Sequence, residues 1–482
     1  MGIATYDVAM RIGGKAVTSA SDSWIDLIDP STGRVFARTP NASAADVDSA
    51  VNAALAAFPL WARTSIPDRQ AVMRAIADVL ERSSDELVDL EVRNVGKLTS
   101  EVRHELHGSI RQFRKLADQV SEFEPHPPTT ASGAAVVWVP LGVIGSVIPW
   151  NAPMSAMLRR MGCTIATGNT LVIKPSQFAP LTPLRITELA EEAGLPPGVV
   201  NVVTGPGSTV GRWLARHPGI AKLSFMGGQE AGAEVLRTAA ERIVPTVLEL
   251  GGKSPQVVFE DASLDLAVPA VLRGFTRNAG QICTCGTRLL VHEAIADEMV
   301  ERLVVEARAM RVGPASEADS DMGPLISADH RKKVDGFVQR AREAGLRPAT
   351  GGAFGAGDGY FYRPTIFTDV APTAEIFQEE IFGPVLTVTK FRDYEHAIEL
   401  ANATRYGLVS AVWTKDLGKA VRAATDIDAG ACWINGYWSG PTDLSRGSRR
   451  KSGIGALDFG VEGLREFLSP KQIAIAGNTS HS

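Results

Sequence analysis

From Gly133 onward the chain alternates short β-branched runs with helical stretches, and few folds tolerate that rhythm. Runs at 136–139, 143–148, 171–173, 199–203, 223–225 and 247–250 are separated by helical segments such as 184–193 and 231–240. Strand, helix, strand repeated in this way predicts an α/β protein with a parallel, doubly wound sheet. A second alternating set starts at Ser254, with strands at 256–259, 289–291, 385–390, 410–414 and 431–435 and helices at 295–310 and 394–403. Before the first set, residues 44 to about 120 repeat apolar positions at three and four (Val47, Val51, Ala54, Leu55, Phe58) and read as helices. The stretch 123–132 breaks that pattern. The switch between the two sets falls at Gly251-Gly252, a boundary that places Glu249 and Cys283 on opposite sides of a cleft, where ligands collect.

The 482 residues exceed what one hydrophobic core supports, so two or three domains are expected. A net charge of -5 gives no reason to expect nucleic acid as a partner. The first ten residues lack the charged start and apolar run of a secretory signal. The most apolar stretch, 136–150, contains Pro140 and Pro149 and is too short to span a bilayer. A cytoplasmic protein without a membrane partner is the expectation. Four cysteines make no disulfide framework, and Cys163 and Cys432 read as buried bystanders. His104-Glu105-Leu106-His107 has metal-like spacing, but Glu101, Arg103 and Arg111 flank it, so it reads as a solvated helix face and no metal is expected.

Chemistry concentrates in five motifs. Cys283 lies in Asn278-Ala279-Gly280-Gln281-Ile282-Cys283-Thr284-Cys285, and thirty-four residues upstream stands Leu248-Glu249-Leu250-Gly251-Gly252-Lys253. A thiolate attacks carbonyl carbon well, and a carboxylate can take a proton from water. Upstream come Pro149-Trp150-Asn151 and Lys174-Pro175-Ser176; downstream comes Glu379-Glu380-Ile381-Phe382-Gly383-Pro384. In this order and spacing the five motifs resemble those of the aldehyde dehydrogenase superfamily. The resemblance implies a cofactor-binding domain from 1–119 and 141–251 and a catalytic domain from 252–438. It also implies a small β oligomerisation element with the C-terminal tail, from 120–140 and 439–482. In it a hairpin around 120–140 joins the β-like segment 467–475, so a homodimer or homotetramer is expected.

By the same resemblance Cys283 is the nucleophile, Asn151 an oxyanion donor beside the Cys283 backbone N–H, and Glu249 the general base that frees the acid from a thioester. The two glycines after Glu249 are expected to leave space for substrate. Lys174 matches the adenosine-ribose ligand, Glu380 the nicotinamide-ribose ligand and Phe382 the ring beside the nicotinamide; Trp150, Ser176, Gln177, Gly207, Gly227 and Gly228 complete the cofactor set. The run Gly205-Pro206-Gly207-Ser208-Thr209-Val210-Gly211 is not the common dinucleotide fingerprint. At Phe225-Met226-Gly227-Gly228 only backbone N–H groups can face a diphosphate. Relatives that prefer NAD usually carry Glu where this chain has Gln177, so NAD or NADP is expected.

Arg159, eight residues after Asn151, and Arg277, six before Cys283, resemble the positions at which succinic semialdehyde dehydrogenases hold a distal carboxylate. The alternative for Arg159 is a surface ion pair beside Arg160. Cys285 resembles that subfamily's reversible disulfide switch. Gly286-Thr287-Arg288, by contrast, recurs in relatives acting on neutral aldehydes. A carboxylate-bearing semialdehyde is therefore the leading substrate reading and a neutral aliphatic or aromatic aldehyde the second. A coenzyme A-acylating relative and a non-catalytic protein of the same fold are further alternatives, against which the intact Glu249, Asn151 and Cys283 argue. The basic loop 445–451, Ser-Arg-Gly-Ser-Arg-Arg-Lys, departs from the family pattern and reads as a solvated loop or an anion-attracting rim.

Overall fold

The first two helices start where their sequence supplies caps. Ser43 accepts the Asp46 N–H at 3.2 Å while the Asp46 carboxylate accepts the Ser43 N–H at 2.7 Å, a reciprocal box that opens the helix Ala44–Trp61. Ser65 caps Ile66–Arg82 by accepting the Asp68 N–H at 3.2 Å, with proline in the first turn. Ser84–Val95 and Thr99–Gln119 follow. Thr99–Gln119 presents Val102, Leu106, Ile110, Phe113 and Leu116 to the core, and it packs on the almost wholly buried helix Pro153–Ala166. The structure, a computed structural model, describes residues 6–124, 133–440, 447–456 and 460–474.

Two large sheets carry the rest. In the first, Thr246–Glu249, Lys222–Met226, Val143–Val147, Thr170–Lys174 and Val200–Val202 run parallel in that spatial order. One edge is closed by antiparallel Gly453–Ile454 and the other by the hairpin Met10–Ile12 and Lys15–Val17. That hairpin, and the separate sheet formed by Tyr6–Asp7, Arg34–Pro40 and Trp24–Asp29, lie in a stretch whose strands are too short and too polar to read from periodicity. The second sheet runs Thr365–Phe367, Val385–Phe391, Arg288–His292, Pro255–Val258, Ser410–Trp413 and Cys432–Ile434, all parallel, with antiparallel Pro348–Thr350 at one edge. Both its faces are covered. Val257, Leu290 and Val412 enter one apolar cluster while their neighbours Val258, Leu289, Val291 and Ala411 enter another. At about 1.5–3 kcal/mol for each fully buried aliphatic side chain, this two-sided burial is what makes the strands near-continuous apolar runs.

A third, two-stranded sheet pairs Ala134–Pro140 with Leu468–Ala474 antiparallel, from Leu468 opposite Pro140 to Ala474 opposite Ala134. The expected hairpin differs here: Val120–Phe123 is a 3-10 turn, and the strand partner of 134–140 among the described residues is the C-terminal segment. The loop at 445–451 differs as well. Ser445 and Arg446 lie outside the described residues, but Arg449–Arg450 pairs with Tyr406–Gly407, and Arg449 and Arg450 both bond the Asp428 carboxylate. Arg450 also donates to the carbonyls of Asn402 and Thr404 at 2.6 Å each. Ser452 then accepts the Leu250 N–H at 2.9 Å and, through its hydroxyl, the Gly407 N–H at 3.0 Å. The segment is a strap that pairs with the Glu249 strand through Gly453–Ile454 and with Tyr406–Gly407 through Arg449–Arg450; its basic residues stay exposed, but the two arginines are tied down rather than forming an open rim. Its arginines have internal acceptors that no local pattern reveals. Among the described residues, no helix is long and apolar enough to cross a membrane.

Candidate active site

The helix Leu264–Thr276 ends in a turn of three successive left-handed residues, Asn278 (φ 47°), Ala279 (φ 51°) and Gly280 (φ 74°). Two of these carry side chains, at a cost of order 1–3 kcal/mol each, so the surroundings must hold them. Gly280 is obligatory on a second ground: a Cβ there would stand 2.2 Å from the Gly383 carbonyl oxygen, which joins the nucleophile motif to Phe382-Gly383-Pro384. The brace is Gln281, wholly buried. Its amide donates to Asn278 O at 2.9 Å and Pro324 O at 3.3 Å and accepts the Ile326 N–H at 2.9 Å. The Asn278 amide donates to Asn151 O at 3.2 Å, and the Asn151 amide donates to Gln281 O at 2.8 Å. One Asn151 N–H is thereby fixed, which sets the amide plane, and the other remains for an oxyanion. Cys283 emerges half-buried just beyond this braced turn.

Glu249 ends its strand buried and accepts from Arg160 at 2.6 Å. Arg160 is fully buried, an internal cation placed on the general-base candidate. The glycines after Glu249 differ from expectation. A Cβ on Gly251 would lie 2.0 Å from the Glu380 carboxylate and one on Gly252 2.5 Å from the Cys283 carbonyl oxygen. They make room for the protein's own groups rather than for substrate. Glu380 accepts the Gly252 N–H at 3.0 Å, and burial raises its carboxyl to about 7.

Beyond Cys283, Cys285 is buried, and desolvation pushes its thiol far above the ordinary range. A reversible switch needs an accessible thiolate, so this environment speaks against the expected redox role for Cys285. Thr284 between them is held by an aromatic group that sequence reading did not find. Tyr437 donates to Thr284 O at 2.6 Å, and Trp438 Nε1 donates to Thr284 Oγ1 at 2.9 Å. Ring contacts of 4.9 and 5.0 Å link Trp438, Tyr437 and Trp433. The Arg277 guanidinium sits over the Trp438 ring, 5.3 Å from its centroid. Arg159 turns instead to Met226, with 3.9 Å from Nη2 to Sδ.

The helix face carrying His104 and His107 is only partly solvated. Both histidines are exposed, but Glu105 turns inward to bond Lys97 at 2.6 Å, and Glu101 accepts the Asn278 N–H at 3.2 and 3.3 Å.

On the cofactor side, Lys174 is buried and donates to Pro175 O at 2.7 Å and Gly205 O at 3.1 Å, and desolvation lowers its amine to about 7. Ser176 and Gln177 follow, half-buried. Gly207 opens a short π-helix, and neither it nor Gly228 has any neighbour within 4 Å of where a Cβ would stand. Gly228 precedes the helix Gln229–Arg242 without a side-chain cap. Of the turn N–H groups expected to face a diphosphate, Gly227 N–H is already taken by Glu249 O at 3.0 Å. Trp150 meets Phe382 edge-on at 5.4 Å and His330 at 5.3 Å. His330 Nε2 lies 2.7 Å from Phe382 O, and burial lowers the imidazole to about 4, so the neutral ring donates there and secures Phe382 in its left-handed conformation (φ 58°). Sequence offered no signal for His330, which belongs to no motif.

The buried amine, the uncapped helix start with open space at Gly207 and Gly228, and the aromatic wall at Trp150 and Phe382 suit a dinucleotide. The family model for the aldehyde dehydrogenase family matches residues 16–473. A betaine aldehyde dehydrogenase of Bacillus subtilis (strain 168) is 37% identical over 471 residues, covering 96% of each chain. A mitochondrial aldehyde dehydrogenase of Leishmania tarentolae is 37% identical over 98% of this chain and 95% of its own. Among solved structures, an NAD-dependent aldehyde dehydrogenase of Sinorhizobium meliloti superposes with TM-score 0.95 at 37% identity, covering 98% of this chain and 96% of that one. Betaine aldehyde dehydrogenase of Staphylococcus aureus in complex with NAD+ gives 0.94 at 35%, covering 98% and 95%. The chain belongs to the aldehyde dehydrogenase family and is an enzyme of that family.

Proposed function

We propose that this enzyme oxidises an aldehyde carrying a distal carboxylate to the corresponding acid, with NAD or NADP, through a thioester on Cys283. The observation that carries the substrate class is Arg277. Among the described residues it makes no hydrogen bond and no ion pair within 4 Å; it rests on Trp438, whose indole bonds the residue next to the nucleophile. That leaves the edge of a half-buried guanidinium available to a bidentate acceptor beside the reacting carbon. Arg159, on the helix Pro153–Ala166, lies 3.9 Å from Met226, the strand residue paired with Glu249, and adds positive charge on that side of the site. A permanently cationic aldehyde is disfavoured by this pair.

In the first step the Cys283 sulfur adds to the carbonyl carbon, and the resulting oxyanion is received by the free Asn151 N–H and the Cys283 backbone N–H. Bound NAD or NADP supplies the acceptor for the hydride that leaves that carbon. Lys174, Gln177, Glu380 and the Trp150–Phe382 wall would hold it, and the neutral amide of Gln177 repels no 2′-phosphate. Glu249, oriented by Arg160, then takes a proton from water as the water oxygen attacks the thioester carbon. The acid departs and the Cys283 thiolate returns.

A second reading, a neutral aldehyde, is favoured by Glu101, whose carboxylate partly answers Arg277. The test compares kcat/KM for succinic semialdehyde, butanal and betaine aldehyde in the wild type, Arg159→Leu and Arg277→Leu. The Arg277 loss should cost about 2–5 kcal/mol on the anionic substrate and leave butanal nearly unchanged. A wild type that prefers butanal, or an equal fall on both, establishes the neutral reading.

A further inference from the structure

Glu101 stands in the first turn of Thr99–Gln119, far in sequence from every catalytic motif, yet both its carboxylate oxygens reach the N–H of Asn278. The charged and titratable groups around it are few. Arg277 faces it from the nucleophile turn, Lys97 from just before its own helix, Glu105 from one turn further on, and Cys285 from beyond the turn. Lys97 is committed elsewhere, to Glu91 at 3.3 Å and Glu105 at 2.6 Å. Arg277 is therefore the cation that Glu101 chiefly answers, and no ion pair within 4 Å locks the two together.

We infer that Glu101 is a specificity-determining residue: an internal carboxylate that competes with a substrate carboxylate for Arg277 and so sets the substrate charge this enzyme prefers. The inference rests on Arg277 facing the substrate, as in the reading above. Burial raises the Glu101 carboxyl to about 7, with Arg277 and Lys97 opposing the rise, so near neutrality the group exists in both forms. Ionised, it screens Arg277; protonated, it yields Arg277 to an anion. Binding of an anionic aldehyde is thus accompanied by proton uptake at Glu101, and its KM rises with pH through neutrality.

Glu101→Gln isolates the charge, because the amide oxygen can still accept the Asn278 N–H. In this variant kcat/KM for succinic semialdehyde should rise about tenfold, that for butanal should change less than about twofold, and that for betaine aldehyde should fall. The rise in KM for succinic semialdehyde between pH 6 and 8 should flatten. In an Arg277→Leu background the same substitution should have no effect on the ratio. An unchanged ratio of succinic semialdehyde to butanal, or an equal loss on both, overturns the inference and leaves Glu101 as a brace for the turn. Should the single variant not fold, the wild-type pH profile decides: a flat KM for the anion with a sound enzyme overturns it. A wild type that prefers butanal rejects the anionic-substrate reading alone, since the shift of the ratio by Glu101→Gln is measured independently of which substrate leads.

Discussion

The reacting centre and the region beside it that meets the rest of the substrate are built differently. Around Cys283 nearly every group is pinned by a short contact to backbone: Asn151 to Gln281 O, Gln281 to three partners, Gly280 to Gly383 and Glu380 to Gly252. Around Arg277 the partners are a ring face at 5.3 Å and a carboxylate with no bond to it. Backbone contacts cannot be exchanged by changing one side chain, whereas a ring and a charge can. The difference implies that the chemistry is fixed by the fold and the substrate preference is adjustable by a few side chains.

The sharpest way to break this comparison is Cys283→Ala, which should abolish dehydrogenase turnover while retaining dinucleotide binding by fluorescence titration. Substantial residual turnover in a clean preparation would remove the nucleophile from the pinned region altogether. Next in size is Gly280→Ala, which forces a methyl group against Gly383 O in a left-handed residue. Thermal melting should show a loss of several kcal/mol, or no soluble enzyme, and a near-normal melt would show that the turn is not rigid. Arg160→Met leaves a carboxylate at Glu249 without its 2.6 Å partner and should cost about 3–5 kcal/mol. Rapid quench should show slowed thioester hydrolysis after a normal first hydride transfer; equal slowing of both steps would place Glu249 earlier in the reaction.

Smaller effects sharpen the adjustable side. Gln177→Glu should shift the ratio of NADP to NAD efficiency about tenfold or more toward NAD, measured by kcat/KM for each. No NADP use in the wild type would mean that another group excludes the phosphate. The smallest expected effect is Cys285→Ala: with a buried thiol held protonated, peroxide inactivation should be unchanged within about twofold. Markedly lower sensitivity would restore the pairing of Cys283 with Cys285.

Most strands of the two large sheets were legible because strands buried on both faces must be apolar throughout, and the helices between them keep their own period; their spatial order was not. The family was legible because each of its motifs packs into a few adjacent residues. What stayed hidden were residues whose significance lies in a distant partner. Arg160 reads only as the neighbour of Arg159, Glu101 as part of a solvated helix face, and Arg449 and Arg450 as a basic loop.

By itself, then, the chain determined its alternating architecture and, through its motifs, its family and the candidates for nucleophile, oxyanion donor and base, since these depend on local pattern and on residue type. Only the tertiary structure decided which charges are paired and against what: Arg160 buried on Glu249, Glu101 toward Arg277, and Asp428 at the surface on the strap arginines. The physical reason is that a charged side chain has the same hydrophilic signature in sequence whether it ends in water or in a partner from elsewhere in the chain. Desolvation and pairing, which give it a function, exist only once the fold has closed around it.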